Sequence, residues 1–86
     1  VMETRVALIS MIVQDQESAL EINALLHVYR QYIIGRMGIP YAPKKISIIS
    51  IAIDAPQDII SALSGKLGAL RGVSAKTVYS KVEGAN

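Results

Sequence analysis

The chain has no cysteine, no tryptophan and no phenylalanine, and its 86 residues include a single histidine. Without cysteine there is no disulfide, thiolate metal ligand or thiol nucleophile, and no CxxC redox or copper-carrier chemistry. His27 has no second histidine, cysteine or carboxylate pair at ligand spacing. It therefore reads as a surface or interface histidine, and neither a metal nor a cofactor is expected. No apolar run approaches the roughly 20 residues of a membrane-spanning helix. The N-terminal region carries Glu3, Thr4 and Arg5 and lacks the pattern of a signal peptide. Val1, ahead of Met2, is set aside as an expression remnant, and the cytoplasm is the expected compartment. Charge of one sign is scarce as well. Nine Lys and Arg face seven Asp and Glu, the net charge is +2 and the only adjacent basic pair is Lys44-Lys45. That is mildly basic, with an isoelectric point near 9.1, and lacks the clustered positive charge of a strong nucleic-acid binder.

What the chain does have is apolar surface. Hydrophobic residues make up 51% of it and the mean hydropathy is +0.37, richer than an ordinary soluble domain. A chain this short forms one domain and buries only a little over about 60% of its unfolded surface. The surplus must lie in exposed patches, which mark contact surfaces. Its location can be read from two segments, Val6–Val13 and Ile46–Ile53. Both have β-strand character and are apolar on both faces. Alternate positions place Val6, Leu8, Ser10 and Ile12 on one side of the first, and Ala7, Ile9, Met11 and Val13 on the other. The second divides into Ile46, Ile48, Ser50 and Ala52 against Ser47, Ile49, Ile51 and Ile53. One oily face serves the domain's own core. The other needs a cover, and a second copy of the chain is the expected one.

Gln14 to Ser18 is a polar helix start, with Asp15 or Ser18 as the N-cap and Glu21 completing Ser-x-x-Glu. Ile22, Leu25, Leu26 and Tyr29 follow at helical spacing, and the helix fades near Tyr32. Ile33 to Gly38 reads as a second strand. Ile39 to Lys45, with Pro40 and Pro43, reads as a loop or ragged hairpin connection. The third strand is expected to end at Asp54, which caps a second helix opened by Pro56. Ile59, Ile60, Leu63, Leu67 and Leu70 form that helix's stripe, Arg71-Gly72 closes it, and Val73 to Tyr79 is the last strand. The order βαββαβ predicts an α+β, ferredoxin-like sandwich: a four-stranded antiparallel sheet with both helices on one face. Its first and third strands are central, and these are the two with double-sided apolarity. The domain spans 1–86, with a core of 2–82 and a loose tail at 83–86.

Chemistry-bearing groups are sparse. Arg36 stands between glycines in Gly35-Arg36-Met37-Gly38, where close backbone approach suits an anion clamp; the competing reading is an arginine that protects a sheet edge. Ser64-Gly65-Lys66-Leu67-Gly68 lacks the full GxxxxGK[ST] pattern and lies inside a helix, so it is no phosphate loop. Its glycines point to close packing of that face. Asp15, Arg36, Tyr41 and Lys66 are the candidate ligand contacts. Leu8, Ile9, Met11, Ile48, Ile49 and Ile51 are the candidate oligomer contacts, drawn from both faces because the pattern does not say which face the helices cover. Tyr29, Tyr32, Tyr41 and Tyr79 all fall outside the central strands, so the base-stacking platform of a ferredoxin-like RNA-binding domain is missing and no direct nucleic-acid binding is expected. Acylphosphatase chemistry is set aside too, because Gln14-Asp15-Gln16 has no glycine.

Taken together, Tyr32-Ile33-Ile34-Gly35-Arg36-Met37-Gly38-Ile39-Pro40-Tyr41, Ile53-Asp54-Ala55-Pro56-Gln57-Asp58 and Ser61-Ala62-Leu63-Ser64-Gly65-Lys66-Leu67-Gly68 make the chain resemble a family of small bacterial proteins grouped as regulators of the iron-only hydrogenase system. The resemblance runs from about Glu3 to Val82. It implies an ACT-like domain akin to the C-terminal, ligand-sensing domain of the nickel-responsive repressor. That repressor's metal site uses several histidines and a cysteine, so it does not carry over to this chain. The glycine typical of the amino-acid-binding ACT loop is also missing after the first strand. The expectation is a non-enzymatic, cytoplasmic regulatory module: a homo-oligomer, dimer or tetramer, with a small effector or a protein partner and a role in transcription through that partner. Two alternatives stand beside it. One is a small-molecule or anion-binding enzyme subunit using Arg36 and Lys66 with His27 or Asp15; the other is a structural partner of hydrogenase-maturation proteins.

Overall fold

The computed structural model describes residues 3–81. Strands β1 (Arg5–Val13), β2 (Ile33–Tyr41), β3 (Ile46–Ala55) and β4 (Val73–Tyr79) and helices α1 (Ala19–Val28) and α2 (Gln57–Gly68) follow one another as βαββαβ. The sheet order is β2-β3-β1-β4, with every neighbouring pair antiparallel. This is the expected ferredoxin-like arrangement, with β1 and β3 at its centre. The tail expected at 83–86 lies outside the described residues.

The β1–β3 register pairs Ala7 with Ile53, Ile9 with Ile51 and Met11 with Ile49, all on the face toward the helices. Ile22 and Leu26 from α1, Tyr29 at its C-cap, and Ile60, Leu63 and Leu67 from α2 complete a core with Val13, Ala55 and Val73. Both strands keep strict alternation, so each residue's parity decides whether it meets the helices or faces away. Four of the six expected oligomer contacts therefore belong elsewhere. Ile9, Met11 and Ile51 are buried in the core, and half-buried Ile49 packs against it. Only Leu8 and Ile48 lie on the helix-free face.

Local expectations also shift. The segment Ile39-Pro40-Tyr41, expected as loop, continues β2. A proline is tolerated there because β2 is an edge strand and one N–H can be spared from the ladder. The β2–β3 turn is a short 3-10 turn at Ala42–Lys44, and Lys45 closes it with φ of 55°. Of the two α1 cap candidates, Asp15 is the one used. Its Oδ1 accepts from the Glu17 N–H at 2.9 Å and starts a 3-10 turn, Gln16–Ser18, that leads into the helix. Ser18 makes no cap; its buried hydroxyl donates to the Arg71 carbonyl at 2.6 Å and ties this entry to the α2–β4 connection. Asp54 makes no cap either, because β3 runs one residue further, to Ala55, and Pro56 takes the N-cap position of α2. Beside the core, Gln57 accepts from Arg5 and donates to the Tyr79 and Ser61 hydroxyls, joining β1, β4 and α2 at one end.

The glycines separate into required and optional. Gly72 has φ of +68°, and a Cβ there would lie 2.6 Å from Asp15 Cβ and 2.8 Å from Asp15 N. The same approach lets the Gln14 N–H donate to the Gly72 carbonyl at 2.7 Å. At Gly65 a Cβ would meet nothing within 4 Å, and at Gly68 only the Ala75 Cβ at 3.8 Å. The close packing expected for that helix face is absent. Gly72→Ala is expected to lose about 2–3 kcal/mol, from a strained backbone and the clash with Asp15. Gly65→Ala should gain about 0.5–1 kcal/mol by removing a flexible residue from a helix interior. Urea denaturation of the two variants checks both signs.

Candidate functional site

The parity that buries Ala7, Ile9, Met11 and Val13 sends Val6, Leu8, Ser10 and Ile12 to the other side of β1. Across the register they meet Asp54, Ala52, Ser50 and Ile48 of β3. Edge strand β2 adds Gly35, Met37, Ile39 and Tyr41, paired with Ala52, Ser50, Ile48 and Ile46. On the far edge, β4 contributes Val78 beside Leu8, Lys76 beside Ser10 and Ser74 beside Ile12. The result is a continuous apolar surface without a helix over it. Leu8 is 45% exposed, Ile12 47%, Met37 50% and Val78 62%. These are mid-strand residues, for which half exposure follows only from an uncovered face.

The polar groups on this surface are few and placed in a way that suits burial. Ser10 and Ser50 stand opposite each other in its middle with their hydroxyl oxygens 3.1 Å apart, so each gives the other a hydrogen-bond partner without water. The charges, Asp54 near one end and Lys76 on an edge strand, sit toward the margins. Two shallow depressions give the face relief. One, of about 250 Å³, is lined by Leu8, Gly35, Arg36, Met37, Ser50 and Ala52. The other, of about 380 Å³, is lined by Ser10, Ile12, Ile48, Ser74 and Lys76 with their neighbours. At Gly35 no atom lies within 4 Å of where a Cβ would stand, which leaves the first depression open.

The four expected ligand contacts do not gather into one site. Asp15 is occupied as the cap before α1. Lys66 reaches from α2 to α1, where its Nζ donates to the Tyr29 hydroxyl at 3.0 Å and lies 5.4 Å from the ring centroid. Tyr41 ends β2, beside the turn where Gln16 Nε2 donates to the Lys45 carbonyl at 3.4 Å. Arg36 points to the helix side of β2, where both terminal nitrogens donate to Asn23 Oδ1 of α1 at 3.3 Å. Of the groups in the enzyme alternative, Arg36 and His27 line one hollow, whereas Lys66 and Asp15 lie elsewhere. Nor, among the described residues, is there a group of three His, Cys, Asp or Glu able to hold a metal.

Sequence reasoning missed two sets of residues. Ile39 and Tyr41 were hidden as open-face residues by the reading of Ile39 to Lys45 as loop, and Met37, inside the expected second strand, was not assigned to that face; alternation along β2 was the available signal. Arg30 was passed over although it stands three residues after His27 on one helix face, a spacing at which side chains meet.

A family profile described as "Iron-only hydrogenase system regulator, putative", the TM1266-like family, matches residues 5–77. The chain belongs to this family. Among solved structures it is similar to one described as uncharacterized protein TM1266 from Thermotoga maritima. The two share 39% identity and superpose with a TM-score of 0.86, over 92% of this chain and all of the other. No curated protein matches the chain. The resemblance read from the β2, β3–α2 and α2 segments is thereby confirmed at the level of family and fold. No helix among the described residues is long and apolar enough to cross a membrane.

The geometry separates two kinds of substitution. Ile51→Ala, which opens a cavity in the core, is expected to lose about 2–5 kcal/mol. Arg36→Gln, on an exposed side chain, should stay within about 0.5 kcal/mol of the unaltered protein. Denaturation midpoints measured at one fixed protein concentration check the contrast.

Proposed function

We propose that the chain is a non-enzymatic regulatory module of the iron-only hydrogenase system. It acts as a symmetric oligomer joined through the open sheet face, responds to a small effector and reaches transcription through a partner protein. The observation that carries this reading is the helix-free face: a sheet-wide apolar surface whose two central hydroxyls are hydrogen-bonded to each other. The family's description as a regulator supports the functional half.

The energetics favour self-association. Burying the exposed half of each Val, Leu, Ile or Met on this face contributes roughly 1 kcal/mol. Two copies contribute it twice, which is comparable with the about 4–15 kcal/mol that association costs. Two such sheets stack about 10 Å apart, close enough for side chains of one to enter the depressions of the other. A twofold axis is the simplest closure, because it pairs the same patch with itself. Asp54 and Lys76 then fall toward the polar rim that such interfaces usually keep.

Light scattering at micromolar concentration is expected to give at least twice the 9.3 kDa chain mass. Replacing both Leu8 and Ile12 with Glu should yield a folded monomer with an unchanged far-ultraviolet circular dichroism spectrum, because neither side chain enters the core. A monomeric native protein would overturn the oligomeric part of the reading. A thermal-shift screen over metals, amino acids and nucleotides addresses the sensing part, where a rise in melting temperature with one class is the expected result. Recovery of a stoichiometric hydrogenase-maturation protein on the open face, in place of a second copy, would favour the structural-partner alternative.

A further inference from the structure

Deepening the sensing part of that reading, we infer that the effector is a small organic anion, held between Arg30 and Arg36 in a hollow where α1 meets edge strand β2. The hollow has a volume of about 330 Å³ and is lined by Asn23, Leu26, His27, Arg30, Ile33 and Arg36. Its lining includes two guanidinium groups and no carboxylate.

Both arginines are held in place by neutral acceptors. Arg36 donates through both terminal nitrogens to Asn23 Oδ1 at 3.3 Å. Arg30 donates to the His27 carbonyl at 2.9 Å and to His27 Nε2 at 3.2 Å. A guanidinium can only donate, so His27 Nε2 is the acceptor in this contact. These contacts hold the side chains near the hollow without neutralising their charge. Each guanidinium has five N–H groups in a planar fork, and the bonds to Asn23 and His27 leave donors free on both. Two such forks match a phosphate or carboxylate head group, which binds more strongly to charged donors than to neutral ones.

Leu26 and Ile33 give the hollow an apolar side as well. The ligand chemistry that fits is a phosphate or carboxylate bearing a compact apolar body, of metabolite size. Asn23, whose amide oxygen orients Arg36, is a positioning residue for the site.

Calorimetric titration of the full chain with phenyl phosphate, benzoate, succinate and inorganic phosphate tests the inference. Saturable binding of at least one organic probe is expected, and the tightest arm identifies the head group. Arg30→Gln and Arg36→Gln should each weaken that binding about tenfold, the factor corresponding to roughly 1.4 kcal/mol for a charge-assisted hydrogen bond. Lys44→Gln, which removes a positive charge outside the hollow, should leave it unchanged. Amide shifts in a nitrogen–proton correlation spectrum should cluster at residues 23–36 and confirm that the variants remain folded. Absence of saturable binding by all four probes would overturn the inference, as would equal loss in Lys44→Gln or indifference to both arginine variants. If the anions fail while a metal, amino acid or nucleoside raises the melting temperature, the sensing reading survives and only the anion assignment falls. Oligomeric mass, measured separately, is untouched by either result.

Discussion

Antiparallel pairing of β1 with β3 is the constraint on which the rest of the structure depends. The pairing runs from Arg5–Ala55 to Val13–Ser47 without a bulge, so every side chain keeps its parity along the full length of both strands. One set of residues meets the helices and becomes the core; the complementary set forms a second apolar surface that this chain does not cover. Two helices are enough to roof one side of four strands, and the βαββαβ order places both on the same side. The domain therefore completes one hydrophobic layer and leaves another unfinished. In an 86-residue chain with so much apolar surface, this is where a partner surface is expected.

The entry to α1 is the second point at which geometry is tightly set. Asp15 caps the turn, Gly72 approaches its backbone too closely for a side chain, and Ser18 is bonded to the Arg71 carbonyl. These contacts join the end of β1 to the start of β4 and fix where α1 begins. From there α1 runs past edge strand β2, bringing Asn23 to Arg36 and leaving the His27–Arg30 pair beside them. The apolar face and the basic hollow are thus consequences of the same framework. The first comes from what the helices leave uncovered, the second from where α1 meets the sheet edge.

Edge strand β2 belongs to both regions. Its odd-numbered positions from Gly35 to Tyr41 extend the open face, whereas Arg36 turns to the helix side. A bulge between Ile33 and Gly35 resets the alternation at the strand's start, and this adjustment gives Arg36 its side. A ligand bound at Arg36 would therefore press on a strand whose opposite face belongs to the proposed subunit junction.

Much of the fold was legible because it rests on local rules. Alternation identified the two central strands, helical spacing identified both helices, and the order of elements implied the sheet. Asp15 as one of two cap candidates and Gly72 as a left-handed residue were readable from local chemistry, but α2 ends at Gly68 with Ala69 as its C-cap, so Gly72 shapes the turn into β4 and does not close the helix. The extent of β2 was not, since Pro40 breaks a strand in the middle of a sheet but is harmless on an edge, and edge position is a property of the whole sheet. The choice of face was beyond the sequence as well. With both sides of β1 and β3 apolar, residue chemistry cannot say whether Ile9 or Leu8 lies under the helices; only packing of α1 and α2 decides it. The basic hollow depends on a contact between Asn23 and Arg36, on different elements, which no spacing rule predicts. The sequence by itself determined the elements, their order and the excess of apolar surface, because those follow from periodicity and composition. Tertiary structure alone decided which half of that surface is core and which stays open, because side-chain parity acquires a direction only once the helices dock.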